Sequence, residues 1–291
     1  YGPIRYRGGS RSYSQLGRIA RGQFFNRVCI RYFWREGDLL VMETKKVVIL
    51  GGSSGIGKAT AIRFAKEGYR VFIGSSNQRK GEQMCATLPG EGHQAFEVDV
   101  RNDKHISKLA AWITKECGRF DVLVNSVGVS QGMPALESEF DKWDNTLQVM
   151  LYGTVKSCRL LVPLLNNGGR VIHITSIHQN RVEKGSSAYG MAKAAITQFT
   201  RSLALELAPR GILANTIAPG FICTPMSIKA HGNELESDWF KDNYIKHDHL
   251  PLKRAGMPEE VAGVVWFLAG PDASYMTGSV VTVDGGLTIT F

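Results

Sequence analysis

The chain has 291 residues, 43% of them hydrophobic and 21% charged, with a formal net charge of +9. These are globular values for one large domain or two small ones, and no apolar run approaches the roughly 18 residues of a membrane-spanning helix. The five cysteines (29, 85, 117, 158 and 223) form no CxxC pair, which argues against a disulfide framework or a structural zinc site and for a reducing compartment.

In chain order the first feature is a basic arm, residues 1–43. Its first 40 residues hold eight arginines, no lysine and only Glu36 and Asp38. That is +6, leaving +3 for the rest of the chain. The Arg-rich, Ser-containing, acid-poor stretch from Arg5 to Arg21 has the composition of a mitochondrial transit segment, so the matrix is the expected location. Arginines interleaved with Phe24, Phe25, Tyr32, Phe33 and Trp34 also suit docking on an acidic or apolar protein surface, or contact with RNA. Nucleic acid is not an expected partner of the weakly charged body.

Residues 44–291 alternate short apolar runs with helix-length segments. Val47–Leu50, Val71–Ile73, Ala95–Val98, Val122–Val124, Val171–Ile174, Ile212–Ala214 and Val280–Val283 read as strands. A first helix ends at Gly68, and 104–117, 143–165, 188–207 and 258–269 read as further helices. The pattern predicts an α/β fold with a parallel sheet of about seven strands covered on both faces, in a single domain without an internal linker. The irregular stretch 224–257 reads as a lid. In it, Met226, Trp239, Phe240 and Tyr244 either line an apolar pocket or pack the lid itself. His231, His247 and His249 lack a ligand set, so no metal site is expected.

Gly51-Gly52-Ser53-Ser54-Gly55-Ile56-Gly57 lies between the first strand and the first helix. Glycines there let the backbone approach a diphosphate, and the helix N-terminus offers free N–H groups and positive partial charge. Tyr189 and Lys193 lie four apart on one helix and share a face. A nearby ammonium favours a phenolate, so Lys193 is expected to lower the Tyr189 pKa and make it an acid/base group. Ser176, at a strand end, is placed to hydrogen-bond a substrate oxygen.

The G-x3-G-x-G loop, Asp99-Val100, Asn125-Ser126-Val127-Gly128, Ser176, Tyr189-Gly-Met-Ala-Lys193, Asn215, Pro219-Gly220, Thr224 and Asp284-Gly285-Gly286 follow in an order and spacing that resembles the short-chain dehydrogenase/reductase family. The likeness spans roughly 44–291, nearest the carbonyl reductase and 3-oxoacyl-acyl-carrier-protein reductase branch. It implies a doubly wound Rossmann sheet, a homo- or hetero-tetramer built on helices 143–165 and 188–207, and hydride transfer between a nicotinamide cofactor and a ketone or secondary alcohol. Ser176, Tyr189 and Lys193 are then catalytic, with Lys193 also holding the nicotinamide ribose. The implied cofactor contacts are the loop residues Gly51, Ser53, Ser54, Gly55, Ile56 and Gly57; Ser75 and Ser76; Asp99 (toward the adenine amine) and Val100; Asn125 and Gly128; Tyr189 and Lys193; and Pro219, Gly220, Ile222 and Thr224. No aspartate follows the second strand, where NAD-binding relatives carry one for the ribose 2′-hydroxyl. Ser75, Ser76, Arg79 and Lys80 instead suit a 2′-phosphate, so NADP(H) is expected and NAD(H) is the alternative.

Four positions depart from the family pattern. Leu50 replaces a threonine that ties the glycine loop, which predicts a looser turn. Ala192 replaces a serine. Gln131 stands where acyl-carrier reductases carry an arginine. Met150 replaces an asparagine that shapes a helix bend and, through its carbonyl, a water link to the lysine. A second reading follows from Met150 and the arm: a dehydrogenase-derived structural subunit of a larger mitochondrial assembly.

Overall fold

Val47, Val48, Ile49 and Leu50 are each at most 1% exposed, so this strand is covered on both faces and belongs at the centre of a sheet. The computed structural model describes residues 32–35, 38–41, 44–129, 133–229 and 232–290. Most of the basic arm (1–31, 36–37 and 42–43), with Cys29, Gln131 and His231, lies outside the described residues, so the readings placed there go no further on structural grounds.

Within the arm, β1 (Tyr32–Arg35) pairs antiparallel with β2 (Asp38–Val41). The body then runs β3 (Lys46–Leu50), α1 (Gly55–Lys66), β4 (Arg70–Ser75), α2 (Gln78–Thr87), β5 (Gln94–Glu97), α3 (Asp103–Glu116) and β6 (Phe120–Asn125). It continues with α4 (Phe140–Leu147), α5 (Gly153–Leu161), β7 (Leu165–Ile174), α6 (Ser187–Leu207) and β8 (Leu213–Pro219). Last come the short pair β9 (Ile228–Lys229) and β10 (Gly232–Asn233), α7 (Asp238–Phe240), α8 (Pro258–Ala269) and β11 (Val280–Val283). Seven strands form one parallel sheet in the order β11-β8-β7-β6-β3-β4-β5. The α/β single-domain expectation is met.

Strand alternation sorts the core into two layers. Val47, Ile49, Val71 and Ile73 meet α1 and α8 on one face, around Phe64, Tyr69 and Trp266 packed edge to face. Val48, Leu50, Phe72 and Leu123 meet α3, α5 and α6 on the other. The helix α2 is absent from the sequence reading because it buries only Gly81 and Met84 and carries a weak apolar stripe. Its start is fixed by Asn77, whose side chain accepts from the Lys80 amide.

The helix expected over 143–165 is interrupted. Gln148–Tyr152 forms a π-helical turn between α4 and α5. Met150 sits in it, fully buried against Ala192 and Ile196, and its carbonyl accepts from Thr154 Oγ1. The bend therefore persists with methionine in the asparagine position. Leu50 does not loosen its turn either. Its side chain fills the space beside Gly74, where a Cβ would come within 2.7 Å of Leu50 Cδ2, and backbone bonds Gly51 N–Gly74 O (2.8 Å) and Ser126 N–Leu50 O (2.9 Å) hold the loop.

His173 on β7 is 1% exposed. Thr200 donates its hydroxyl proton to Ile196 O (2.7 Å), so His173 Nδ1–H donates to Thr200 Oγ1 (2.7 Å) and Nε2 accepts from the Cys158 thiol (3.3 Å). Burial, helped by the Lys193 charge, pushes the imidazole down to about 4 and keeps it neutral. The unfolded chain thus binds the extra proton between pH 6.5 and 4, and the stability conferred by the neutral ring is complete above 6.5 and lost toward 4. His173→Gln is expected to remove a loss on the order of 3 kcal/mol across that window. Urea unfolding at pH 7 and pH 4.5 checks this, since equal losses in both proteins would contradict it.

Candidate active site

The carboxyl ends of β3, β4, β6, β7 and β8 open into one cleft of about 1260 Å³. That exceeds the roughly 300–1,000 Å³ typical of small-ligand pockets. The cleft lies where the chain, after running outward from β3 to β4 and β5, crosses back to β6 on the other side of β3. Such a switch point leaves a crevice between diverging loops.

The glycine loop forms one wall. A Cβ on Gly57 would stand 2.1 Å from the Gly51 carbonyl oxygen, so only glycine lets α1 approach β3 this closely. The helix N-cap, Ser54, makes no side-chain capping bond, and the first turn carries no acid. Its amide donors and the positive end of its dipole are thereby left to an anion.

Further along, Ser76 is exposed on the wall, whereas Ser75 is 4% exposed and its hydroxyl is committed. Ser75 Oγ donates to Asn77 O (3.0 Å), accepts from Asn77 N (3.2 Å) and pairs with Ser53 Oγ (2.9 Å). It holds the two phosphate-side loops together instead of presenting a free donor. Arg79 and Lys80 lie on α2 and do not line the cleft. Asp99 does line it, gripped by Arg101 through Nη2–Oδ2 (2.7 Å) and Nε–Oδ1 (3.0 Å). The bond to Arg101 holds this carboxyl below its usual range.

At the far end β7 delivers Ser176, and α6 delivers Tyr189 and Lys193. Ser176 and Lys193 are 6% and 3% exposed. Lys193 Nζ donates to Ile174 O (2.9 Å) and lies 5.5 Å from the centre of the Tyr189 ring. Burial lowers its pKa to about 8. Ser176 and Tyr189 line the same end of the cleft. The expectation that Lys193 depresses the Tyr189 pKa does not hold in this geometry. Burial raises it, the nearby Ser176 hydroxyl opposes that, and Glu183 raises it further. The phenol stays protonated at neutral pH.

Of the sequence-derived contacts, Gly51, Ser53, Ser54, Gly55 and Ile56 line the cleft, as do Asp99, Val100 and Gly128 and, nearer β8, Pro219, Gly220, Ile222 and Thr224. Gly57 and Asn125 do not. Asn125 is 4% exposed and acts from behind, donating to Thr154 Oγ1 (2.8 Å) and accepting from the Val127 amide (3.0 Å). The lid aromatics separate in the same way. Met226 lines the cleft, whereas Phe240 and Tyr244 pack on Phe221 at 5.0 and 4.6 Å and Trp239 on Tyr244 at 5.5 Å. Arg101, His178, Glu183, Lys184 and Glu234 are lining residues absent from the sequence reading. Only His178, two residues past Ser176, carried a positional signal. Among the described residues no three His, Cys, Asp or Glu side chains group to hold a metal, and no helix is long and apolar enough to cross a membrane.

This lining fits a dinucleotide: an uncapped helix end behind a glycine turn for the diphosphate, and at the other end a partly buried phenol between a buried hydroxyl and a buried ammonium. A family model described as enoyl-(acyl carrier protein) reductase matches residues 51–288. An uncharacterised oxidoreductase of Bacillus subtilis is 38% identical over 84% of this chain and 92% of its own length. A 3-oxoacyl-[acyl-carrier-protein] reductase of Thermotoga maritima is 33% identical over 85% and 99%. Among solved structures, a short-chain dehydrogenase/reductase of Serratia marcescens superposes with a TM-score of 0.75 at 30% identity, covering 84% of this chain and 98% of that one. The ligand-free aldohexose dehydrogenase of Thermoplasma acidophilum gives 0.74 at 32%, covering 85% and 95%.

The chain belongs to the short-chain dehydrogenase/reductase family. It is an oxidoreductase of that family, which uses nicotinamide cofactors. The close approach at Gly57 is then a binding requirement as well as a packing one. Gly57→Ala is expected to push the loop off α1 and weaken dinucleotide affinity by tenfold or more, about 1.4 kcal/mol, while the sheet still folds. Cofactor titration by nicotinamide fluorescence, with circular dichroism as the folding control, measures both.

Proposed function

We propose that this chain is an NADP(H)-dependent oxidoreductase that moves a hydride between nicotinamide and a ketone or secondary alcohol, with Tyr189 as the acid/base. The observation that carries this reading is the meeting of Ser176, Tyr189 and Lys193 at the end of the cleft opposite the uncapped helix. When bound, the nicotinamide supplies or accepts the hydride. The residues of the chain do the rest. Ser176 Oγ–H orients the substrate oxygen, and the protonated Tyr189 hydroxyl gives its proton to that oxygen as negative charge develops there. In oxidation the same phenol oxygen takes the proton back. Lys193, fixed by the Ile174 carbonyl, would hold the nicotinamide ribose.

The cofactor preference rests on Ser76, exposed at the end of β4 with no carboxylate beside it on Ser75 or Asn77. The exposed apolar residues Phe140, Tyr152 and Leu160 near α4 and α5, and Met191 and Leu205 on α6, support assembly as a tetramer through these helices. The relatives named for acyl-carrier and aldohexose substrates frame the substrate as a carbonyl compound or its alcohol. The reading of a dehydrogenase-derived structural subunit draws on Met150 and the basic arm, and at Met150 the π turn keeps the helix bent.

Steady-state oxidation of NADPH with a panel of ketones tests the proposal. Tyr189→Phe is expected to lower kcat by about 10²–10⁴-fold with cofactor affinity retained. Cofactor binding without turnover of any carbonyl would favour the silent-subunit reading. In the same assay Ser76→Asp is expected to raise the KM for NADPH about tenfold or more and spare NADH, because a carboxylate there repels a 2′-phosphate. An unchanged ratio would remove the NADP assignment.

A further inference from the structure

We propose that His178 and Glu183 form a proton relay that connects the Tyr189 hydroxyl, through Ser176, to the solvent at the mouth of the cleft. The inference rests on Tyr189 acting as the acid/base. The polar groups follow one another outward from the phenol. Ser176 and Tyr189 line the same end of the cleft, and the serine hydroxyl is close enough to the phenol to favour its ionised form. Ser176 Oγ accepts from the His178 amide (3.2 Å) and lies 3.3 Å from His178 Nδ1. The other ring nitrogen, Nε2, lies 3.2 Å from Glu183 Oε2. His178 is one-fifth exposed and Glu183 two-fifths exposed, so exposure rises outward from the buried Ser176.

The geometry is built in. Ser176 caps the short 3-10 turn Ile177–Gln179, which brings the imidazole back over the serine hydroxyl and sets it edge-on to the Tyr189 ring at 5.5 Å. On the opposite side the phenol meets an apolar wall. Tyr189 packs on the cluster of Met150, Ala192 and Ile196, with Val129 and Leu147 beside it. Lys193 directs its ammonium to Ile174 O. Glu183 is in contact with the imidazole through Nε2, and Lys184, Lys193 and Glu234 line the same cleft.

The transfer balances without any further reactant. In the reductive direction the Tyr189 O–H bond breaks toward the substrate oxygen. The phenolate takes the Ser176 proton, and Ser176 Oγ takes the proton on His178 Nδ1. The imidazolium becomes a neutral imidazole that keeps Nε2–H directed at Glu183, and water reprotonates the ring. In oxidation the same protons move outward. His178 and Glu183 act here as positioning residues, because their effect passes through Ser176.

The test compares wild type, His178→Ala, Glu183→Gln and Tyr189→Phe in carbonyl reduction across pH 5–9. The exposed site of Glu183 makes its variant the safeguard if His178→Ala folds poorly. His178→Ala is expected to lower kcat about tenfold, flatten the limb of the pH profile near neutrality, leave the KM for cofactor unchanged, and regain rate with added imidazole. Glu183→Gln is expected to alter the same limb, because the ring loses the carboxylate that orients Nε2. As a readout without turnover, nitrogen NMR of the His178 ring is expected to show a titration midpoint displaced by Ser176→Ala. An unchanged pH profile without imidazole rescue, alongside an inactive Tyr189→Phe, would overturn the relay and leave the acid/base assignment standing. A His178 titration indifferent to Ser176→Ala would also overturn it. A wild type that reduces no carbonyl would remove the acid/base assignment and the relay with it.

Discussion

The contact between α1 and the turn before it sets the rest of the molecule. The Gly51 carbonyl oxygen occupies the space a side chain at Gly57 would need, and the helix N-terminus therefore abuts the end of β3. Because β3 is central, this contact fixes the helix against the sheet at the point where strand order reverses. A helix end left uncapped at such a point would be a defect in a purely structural protein. Here it faces the cleft, where an anionic ligand would satisfy its amides and its dipole.

The second half of the site is governed by desolvation. Lys193 is almost fully buried and kept from an isolated charge by the Ile174 carbonyl, with its pKa brought down to about 8. Tyr189 is pushed the other way. The two shifts leave a protonated phenol beside a readily neutralised amine, a pairing suited to delivering a proton to a carbonyl oxygen. Met150 contributes by sealing one side of this pair with apolar contacts, while the π turn that carries it keeps α4 and α5 bent. Protons then have a polar exit on the Ser176 side.

Much of this was legible before any coordinates. The strands were readable because strands buried on both faces are short continuous apolar runs, as Val47–Leu50 shows. The candidate set was readable because Tyr189 and Lys193 are locked four apart on one helix and Ser176 follows the end of a strand. The helix α2 was not, since Gln78–Thr87 turns only Gly81 and Met84 inward. The tie between Ser53 and Ser75 joins residues 22 apart through their side chains, and no local pattern announces it. The lid aromatics could line or pack in sequence terms, and only the position of Phe221 decided that Phe240 and Tyr244 pack.

By itself the sequence determined the order of strands and helices, the glycine turn and the chemical types at the site, because these depend on local periodicity and short spacings. Tertiary structure alone decided which of those groups meet and in what state. It turned Asn125 and Gly57 into supports behind the wall, closed Asp99 with Arg101, reversed the expected shift at Tyr189, and set His178 between Ser176 and Glu183. The physical reason is that burial and hydrogen-bond partnership depend on distances between atoms remote along the chain, and the free energy of a proton or a charge follows those distances.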